Sequence, residues 1–115
     1  MSKKKLVIAV LQEDDYDNTV SSLITHHIFV TKLSSSGGFL RKKNITIMIG
    51  VEVEQLEMVL QILKECAGHR KEVVYTMTGG GHTAHGAGTA PAIPIQVDTG
   101  GTTVFVMDLD SLEKY

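Results

Sequence analysis

Hydrophobic positions along this chain alternate between two periods, and each period predicts a type of element. Leu6–Leu11 is apolar at every position, which is typical of a strand buried on both faces, so we predict a first strand over Lys5–Leu11. Other apolar runs bounded by polar or glycine-rich stretches predict further strands at Ile28–Leu33, Asn44–Val51, Glu72–Thr76, Ile95–Val97 and Thr102–Leu109. The last two are expected to pair as a hairpin.

Two stretches follow the helical period instead. Asp14–Asn18 supplies N-cap candidates for a helix that ends near Thr25. Its predicted core face contains Tyr16, Val20, Leu23 and Ile24.

The second helical stretch is more regular, with apolar residues at spacings of three and four. Glu52 and Glu54 favour its N-terminus, and Lys64, Gly68 and Arg70 favour its C-terminal end. The predicted apolar face contains Leu56, Val59, Leu60, Leu63 and Cys66.

The resulting order is β-α-β-β-α-β with an extra hairpin and two long Gly-rich loops, which predicts an α+β, ferredoxin-like sandwich. With 115 residues, we expect a single domain, 1–115. Two helices cover one face of a sheet, yet both faces of the first strand are apolar. The pattern therefore predicts that another copy of the chain covers the second face.

Bulk properties exclude several classes of protein. The net charge is −2, so we expect no binding to nucleic acid polymers or to membrane surfaces. Lys3–Lys5 precedes an apolar run as in a signal peptide, but acidic residues follow where a cleavage site should lie. Together with the single cysteine, Cys66, this predicts a cytoplasmic protein.

The stretch from Thr31 to Asn44 carries the most specific chemistry. It combines small polar residues, the Gly37-Gly38 pair, one aromatic residue and four cations. Paired glycines let backbone N–H groups approach an anion, and Phe39 offers a surface on which a base can stack. These parts suit a small phosphorylated ligand that contains a base; the alternative is a hairpin loop whose lysines only maintain solubility.

A second Gly-rich stretch, Gly79–Pro94, contains His82 and His85. His-x-x-His can chelate a transition metal, and the alternative is a flexible loop with two solvated imidazoles. No set of nucleophile, base and acid stands out anywhere in the sequence. We therefore expect neither an enzyme nor a resident cofactor.

Two segments resemble one known family. TKLSSSGGFLRKKNITIMIGVE and GGTTVFVMDLD are similar to segments of the cyclic di-AMP receptors of the PII-like signalling group. The resemblance is strong over Thr31–Val51 and Gly100–Met107 and weak over Val74–Ala92. It implies a homotrimer with ligand sites between subunits.

The resemblance also implies a set of ligand-binding residues. Thr31 and the amides of Gly37 and Gly38 would contact phosphate, while Asn44 and Gly50 would read the base. The other implied contacts are Phe39, Leu40, Arg41, His27, Phe29 and Phe105, the last being either a pocket wall or a core residue. Where the family has Asn-Phe-Arg, this chain has His27-Ile28-Phe29, so the arginine is replaced. Either Lys32 or Arg41 supplies its charge, or the ligand differs.

The resemblance predicts a signal transduction protein that binds cyclic di-AMP. Binding would reorder the Gly37 and Gly79 loops and so present a new surface to a downstream protein. One alternative is a trimeric metal-binding or metal-tolerance protein of the same fold that uses His82 and His85. Another is an oligomeric interaction module without a small ligand.

Overall fold

The computed structural model describes residues 3–33, 43–77 and 92–115. The predicted Gly37-Gly38 loop, with Phe39, Leu40 and Arg41, and most of the Gly79–Pro94 stretch, with His82 and His85, lie outside these ranges. The described chain divides into two compact units, one formed by 1–69 and 100–115 and the other by 70–99.

The larger unit is a four-stranded antiparallel sheet with two helices. Its elements are β1 (Lys4–Gln12), α1 (Tyr16–Thr25), β2 (Thr31–Leu33), β3 (Asn44–Glu52), α2 (Leu56–Ala67) and β6 (Thr102–Leu109). The strand order is β2-β3-β1-β6. This order and the β-α-β-β-α-β sequence of elements confirm the ferredoxin-like fold.

The core lies between the helices and one face of the sheet. Alternate residues of β1 and β3 face it, so Val7 and Ile47 are fully buried while their sequence neighbours are not. The helices contribute Leu23 of α1 and Val59 and Leu63 of α2 to the same cluster. Its other members are Ala9, Leu11, Ile28, Ile45, Ile49, Val51, Ile62 and Ala67.

The smaller unit is a two-stranded hairpin of β4 (Arg70–Met77) and β5 (Ala92–Thr99). This corrects the predicted pairing, since Val97 lies opposite Glu72 and not opposite a residue of β6. β6 pairs with β1 instead, with Phe105 opposite Ile8. The extra hairpin exists, but other strands form it.

Helix α1 ends in a tight arrangement of hydrogen bonds that sets where the next strand begins. The N–H of His27 donates to the Ile24 carbonyl at 2.8 Å, and the N–H of Ile28 donates to the Leu23 carbonyl at 2.9 Å. This pair of bonds is a Schellman motif, and it requires the left-handed conformation that His27 adopts, with φ of 63°. The strand predicted over Ile28–Leu33 therefore starts only at Thr31.

The predicted helix faces are partly correct. Leu23 is buried, but Ile24 is 54% exposed and does not belong to the core face. In α2, Val59 and Leu63 are buried as predicted, whereas Leu60 and Cys66 are half-buried. The face is rotated toward two residues that the pattern omitted, Ile62 and Ala67.

The ends of α2 show why its flanking residues are there. The Gln55 side chain accepts a hydrogen bond from the Glu52 N–H at 3.3 Å, ahead of the first helical turn. At the other end, a Cβ on Gly68 would collide with the Lys64 carbonyl oxygen. Close backbone approach, not a positive φ, therefore requires glycine at this position.

Candidate functional site

The face of the four-stranded sheet that points away from the helices carries most of the predicted ligand contacts that the structure describes. We call it the outer face. Strand alternation and the pairing register place on it Leu6, Ile8, Val10, Gln12, Thr31, Leu33, Asn44, Thr46, Met48, Gly50, Thr103, Phe105 and Met107.

One row of the outer face joins two predicted contacts. Thr31 lies opposite Met48, Met48 opposite Ile8, and Ile8 opposite Phe105. Thr31 is exposed, and Phe105 is 52% exposed. Of the two readings of Phe105, this exposure excludes a core residue of the isolated chain, because a core aromatic ring would be buried.

The next row contains Gly50, opposite Leu6. A Cβ on Gly50 would collide with the Leu112 side chain. The segment after β6 therefore turns back across the sheet at this end and packs on the bare backbone of β3. A glycine inside an apolar strand commonly marks such a close approach, but the sequence analysis did not identify what approaches.

Phe29 precedes Thr31 by two residues, which places it at the Gly50 end of β2, and it is 71% exposed. The Lys114 ammonium lies 4.7 Å from the centre of its ring, a cation–π distance. The sequence analysis missed Lys114, which follows no periodic pattern.

His27 is exposed, but its described role is structural, because its backbone closes the end of α1. His26, beside it, hydrogen-bonds through Nδ1 to the Ser22 carbonyl at 2.8 Å. Among the described residues, no group of three or more His, Cys, Asp or Glu side chains is placed to hold a metal ion.

Asn44 lies at the opposite end of β3, exposed and opposite Gln12 of β1. The Gln12 side-chain amide donates to the Gly100 carbonyl at 3.0 Å. Its Oε1 is buried and has no hydrogen-bond partner within the described part of the chain. A buried acceptor left unpaired costs about 1–3 kcal/mol. The unpaired Gln12 oxygen beside Asn44 is a second feature of the site, after Lys114, that the sequence analysis missed.

Lys32 does not lie on the outer face. It pairs with the buried Ile47, and its ammonium lies 5.0 Å from the centre of the Tyr16 ring on the helix side of the sheet. Lys32 is one of the two cations expected to replace the family arginine, and it lies on the opposite side of the sheet from Thr31 and Phe105. Arg41 lies outside the described residues.

Comparison with known protein families identifies the family of this chain. The profile of the cyclic di-AMP receptor family matches residues 4–115. This protein belongs to the cyclic di-AMP receptor family. The match includes both segments on which the resemblance was based, and it covers the outer-face rows described above.

Solved structures agree with the fold of this receptor. It is similar to a functionally unknown protein from Pediococcus pentosaceus ATCC 25745, at 35% identity and a TM-score of 0.75, with 100% of each chain covered. The PII protein of Arabidopsis thaliana, solved with citrate, matches at 22% identity and a TM-score of 0.58 over 95% of this chain and 77% of its own. That likeness confirms the PII-like fold.

A third structure shares the fold at lower identity. It is a DUF3240 family protein from Shewanella baltica OS155, at 12% identity and a TM-score of 0.55, covering 100% of this chain and 99% of its own. No helix within the described ranges of the receptor is long and apolar enough to cross a membrane.

Proposed function

We propose that this receptor is a cytoplasmic, non-enzymatic homotrimer that binds cyclic di-AMP between its subunits. The observation that carries the proposal is the row that joins Thr31 to Phe105 across the outer face. It provides a hydroxyl for a phosphate and an exposed ring for a base on one apolar surface. Both are residues that the family resemblance implicates.

The spacing of the predicted contacts supports a pocket shared between protomers. Asn44 and Gly50 lie six residues apart on β3, which corresponds to roughly 20 Å along a strand. A single compact ligand does not bridge that distance easily. Two copies that each contribute one end of the outer face would bring these residues to the same ligand.

Exposed apolar side chains support the assembly. Phe105 and Met107 are 52% and 42% exposed, and they adjoin Ile8 and Leu6 on the same face. Burying such a surface against another copy is favourable by about 25 cal/mol per Å² of apolar area. We propose that this face is closed by trimer formation.

The signal in this proposal is a change in the two Gly-rich loops. Ligand bound at the outer face would favour one arrangement of the Gly37 and Gly79 loops, in proportion to its difference in affinity for the two arrangements. The selected arrangement would then be recognised by a downstream protein.

Isothermal titration calorimetry with cyclic di-AMP, cyclic di-GMP and ATP side by side tests the ligand. We expect micromolar or tighter binding of cyclic di-AMP, weakened by Asn44→Ala. A matched control is Asn18→Ala on the exposed surface of α1, which should bind like the wild type.

The same measurement distinguishes the alternatives. Stoichiometric zinc or copper binding that is lost in His82→Ala would favour the metal-binding protein. The absence of heat with every nucleotide and metal would favour an interaction module without a small ligand, and would overturn the proposal.

A further inference from the structure

The C-terminal segment after β6 is held on the outer face by two contacts. Leu112 packs where Gly50 has no side chain, and Lys114 places its ammonium 4.7 Å from the centre of the Phe29 ring. The first contact anchors the segment by shape. Because Leu112 is fixed against Gly50, the ammonium group of Lys114, two residues later, is positioned at the Phe29 ring.

The charge at that place is not neutralised within the described residues. At the same end of the sheet, Lys4 forms an ion pair with Glu52 at 3.3 Å, and Lys5 is paired with Asp108. The ion pairs of the described residues include none between Lys114 and a carboxylate. An aromatic face attracts a cation but leaves its N–H donors available.

The neighbourhood of Lys114 is also that of the proposed phosphate contact. Phe29 is two residues from Thr31 in the chain, and Thr31 lies opposite Met48, two residues from Gly50 on β3. A phosphate diester carries a negative charge that hydroxyl groups alone do not compensate. Charged hydrogen bonds from Lys or Arg are about twice as strong as neutral ones.

We infer that Lys114 is a ligand-binding residue of this receptor, which supplies the positive charge for the anionic part of the ligand at the Phe29 end of the outer face. The inference rests on the proposed function. It explains how a phenylalanine is accommodated at position 29: the ring holds a lysine from the C-terminal segment, and that lysine contacts the phosphate.

Lys114→Met tests the inference, since it removes the charge and keeps the length of the side chain. We expect cyclic di-AMP affinity to fall about tenfold, the effect of one charged hydrogen bond. The dependence of affinity on salt should also decrease, because one ionic contact is lost. Lys114→Arg should bind within about threefold of the wild type, as it keeps the charge.

Lys64→Met is the matched control, because Lys64 is an exposed lysine at the end of α2. It should leave affinity and salt dependence unchanged. Equal melting temperatures for all variants would show that the fold is intact.

A double-mutant cycle with Phe29→Arg gives an independent test. An arginine at position 29 supplies a cation from β2's own flank, so Lys114→Met should cost much less in that background than in the wild type. Additive effects of the two substitutions would contradict a shared role.

The outcomes separate the two claims. If the wild type does not bind cyclic di-AMP, the proposed function fails and this inference fails with it. If the wild type binds and Lys114→Met binds equally well, only the inference is overturned. Tighter binding by Lys114→Met would also overturn it, since the segment would then be a cover that the ligand displaces.

Discussion

At the scale of single residues, His27 shows how backbone geometry decides what a side chain is for. Its φ of 63° closes the Schellman motif at the end of α1. This conformation is unfavourable for residues with a Cβ and is tolerated best by glycine and asparagine. The sequence analysis considered only the imidazole as a ligand contact, and that role stays a prediction.

His27→Gly is therefore expected to raise the free energy of unfolding by about 1 kcal/mol, because it removes the left-handed strain. His27→Val should lower it. Urea denaturation followed by circular dichroism measures both. His26→Gly is the control: His26 has φ of −95°, so glycine there relieves no strain and should not stabilise the protein.

The ion pair between Asp108 and Lys5 predicts that the stability of the fold depends on pH. A hydrogen bond from Lys5 and the attraction of its charge lower the pKa of Asp108 below the ordinary value of 3.8. A carboxyl group with a lowered pKa stabilises the fold above its unfolded pKa, and that contribution is lost as the pH falls through the folded pKa.

The wild type should accordingly be slightly more stable than Asp108→Asn at neutral pH. The difference should begin to shrink as the pH falls below the ordinary value of 3.8 and vanish below the lowered folded pKa. The effect is small, because Asp108 is exposed to solvent. Urea midpoints measured between pH 2.5 and 7 check this. A difference that does not shrink at all between neutral pH and pH 2.5 would show that the Lys5 ion pair is not its source.

At the scale of elements, adjacent residues on α1 have opposite environments. Leu23 is completely buried, whereas Ile24 is 54% exposed. Helical spacing alone assigns both to one face, because a face about 100° wide includes either residue. The contacts of α1 with its neighbours decide which one enters the core.

Leu23→Ala should lower the free energy of unfolding by about 2–5 kcal/mol, since it leaves a cavity in a packed core. Ile24→Ala removes similar chemistry from the surface and should cost less than about 1 kcal/mol. Thermal and urea unfolding of this pair measures the difference. Equal losses would contradict the placement of α1.

At the scale of the whole molecule, the main feature is that a single copy leaves apolar side chains of the outer face exposed to solvent. Met107 is 42% exposed on this face, opposite Leu6. Met107→Glu should prevent the proposed trimer from forming, because a charge buried in an apolar interface loses its hydration.

Sedimentation velocity should show a trimer for the wild type and a smaller species for Met107→Glu. Ile24→Asp introduces a charge at an exposed apolar residue on the helix side and should remain trimeric. A wild type that sediments as a monomer at micromolar concentration would overturn the assembly.

Sequence by itself determined the types of most elements and the two-faced character of the sheet. The runs in β1 and β3 and the period of α2 are local patterns, and local patterns follow directly from backbone geometry. The family resemblance is also read from contiguous residues, and the comparison with known families confirmed it.

Only the tertiary structure decided which distant segments meet. β5 pairs with β4, and β6 pairs with β1. The sequence had predicted that β5 and β6, which are adjacent in the chain, pair as a hairpin. Likewise, no local pattern indicates that Leu112 packs on Gly50 or that Lys114 reaches Phe29. The physical reason is that such contacts depend on competition among all possible partners for buried surface, and periodicity within a segment carries no record of that competition.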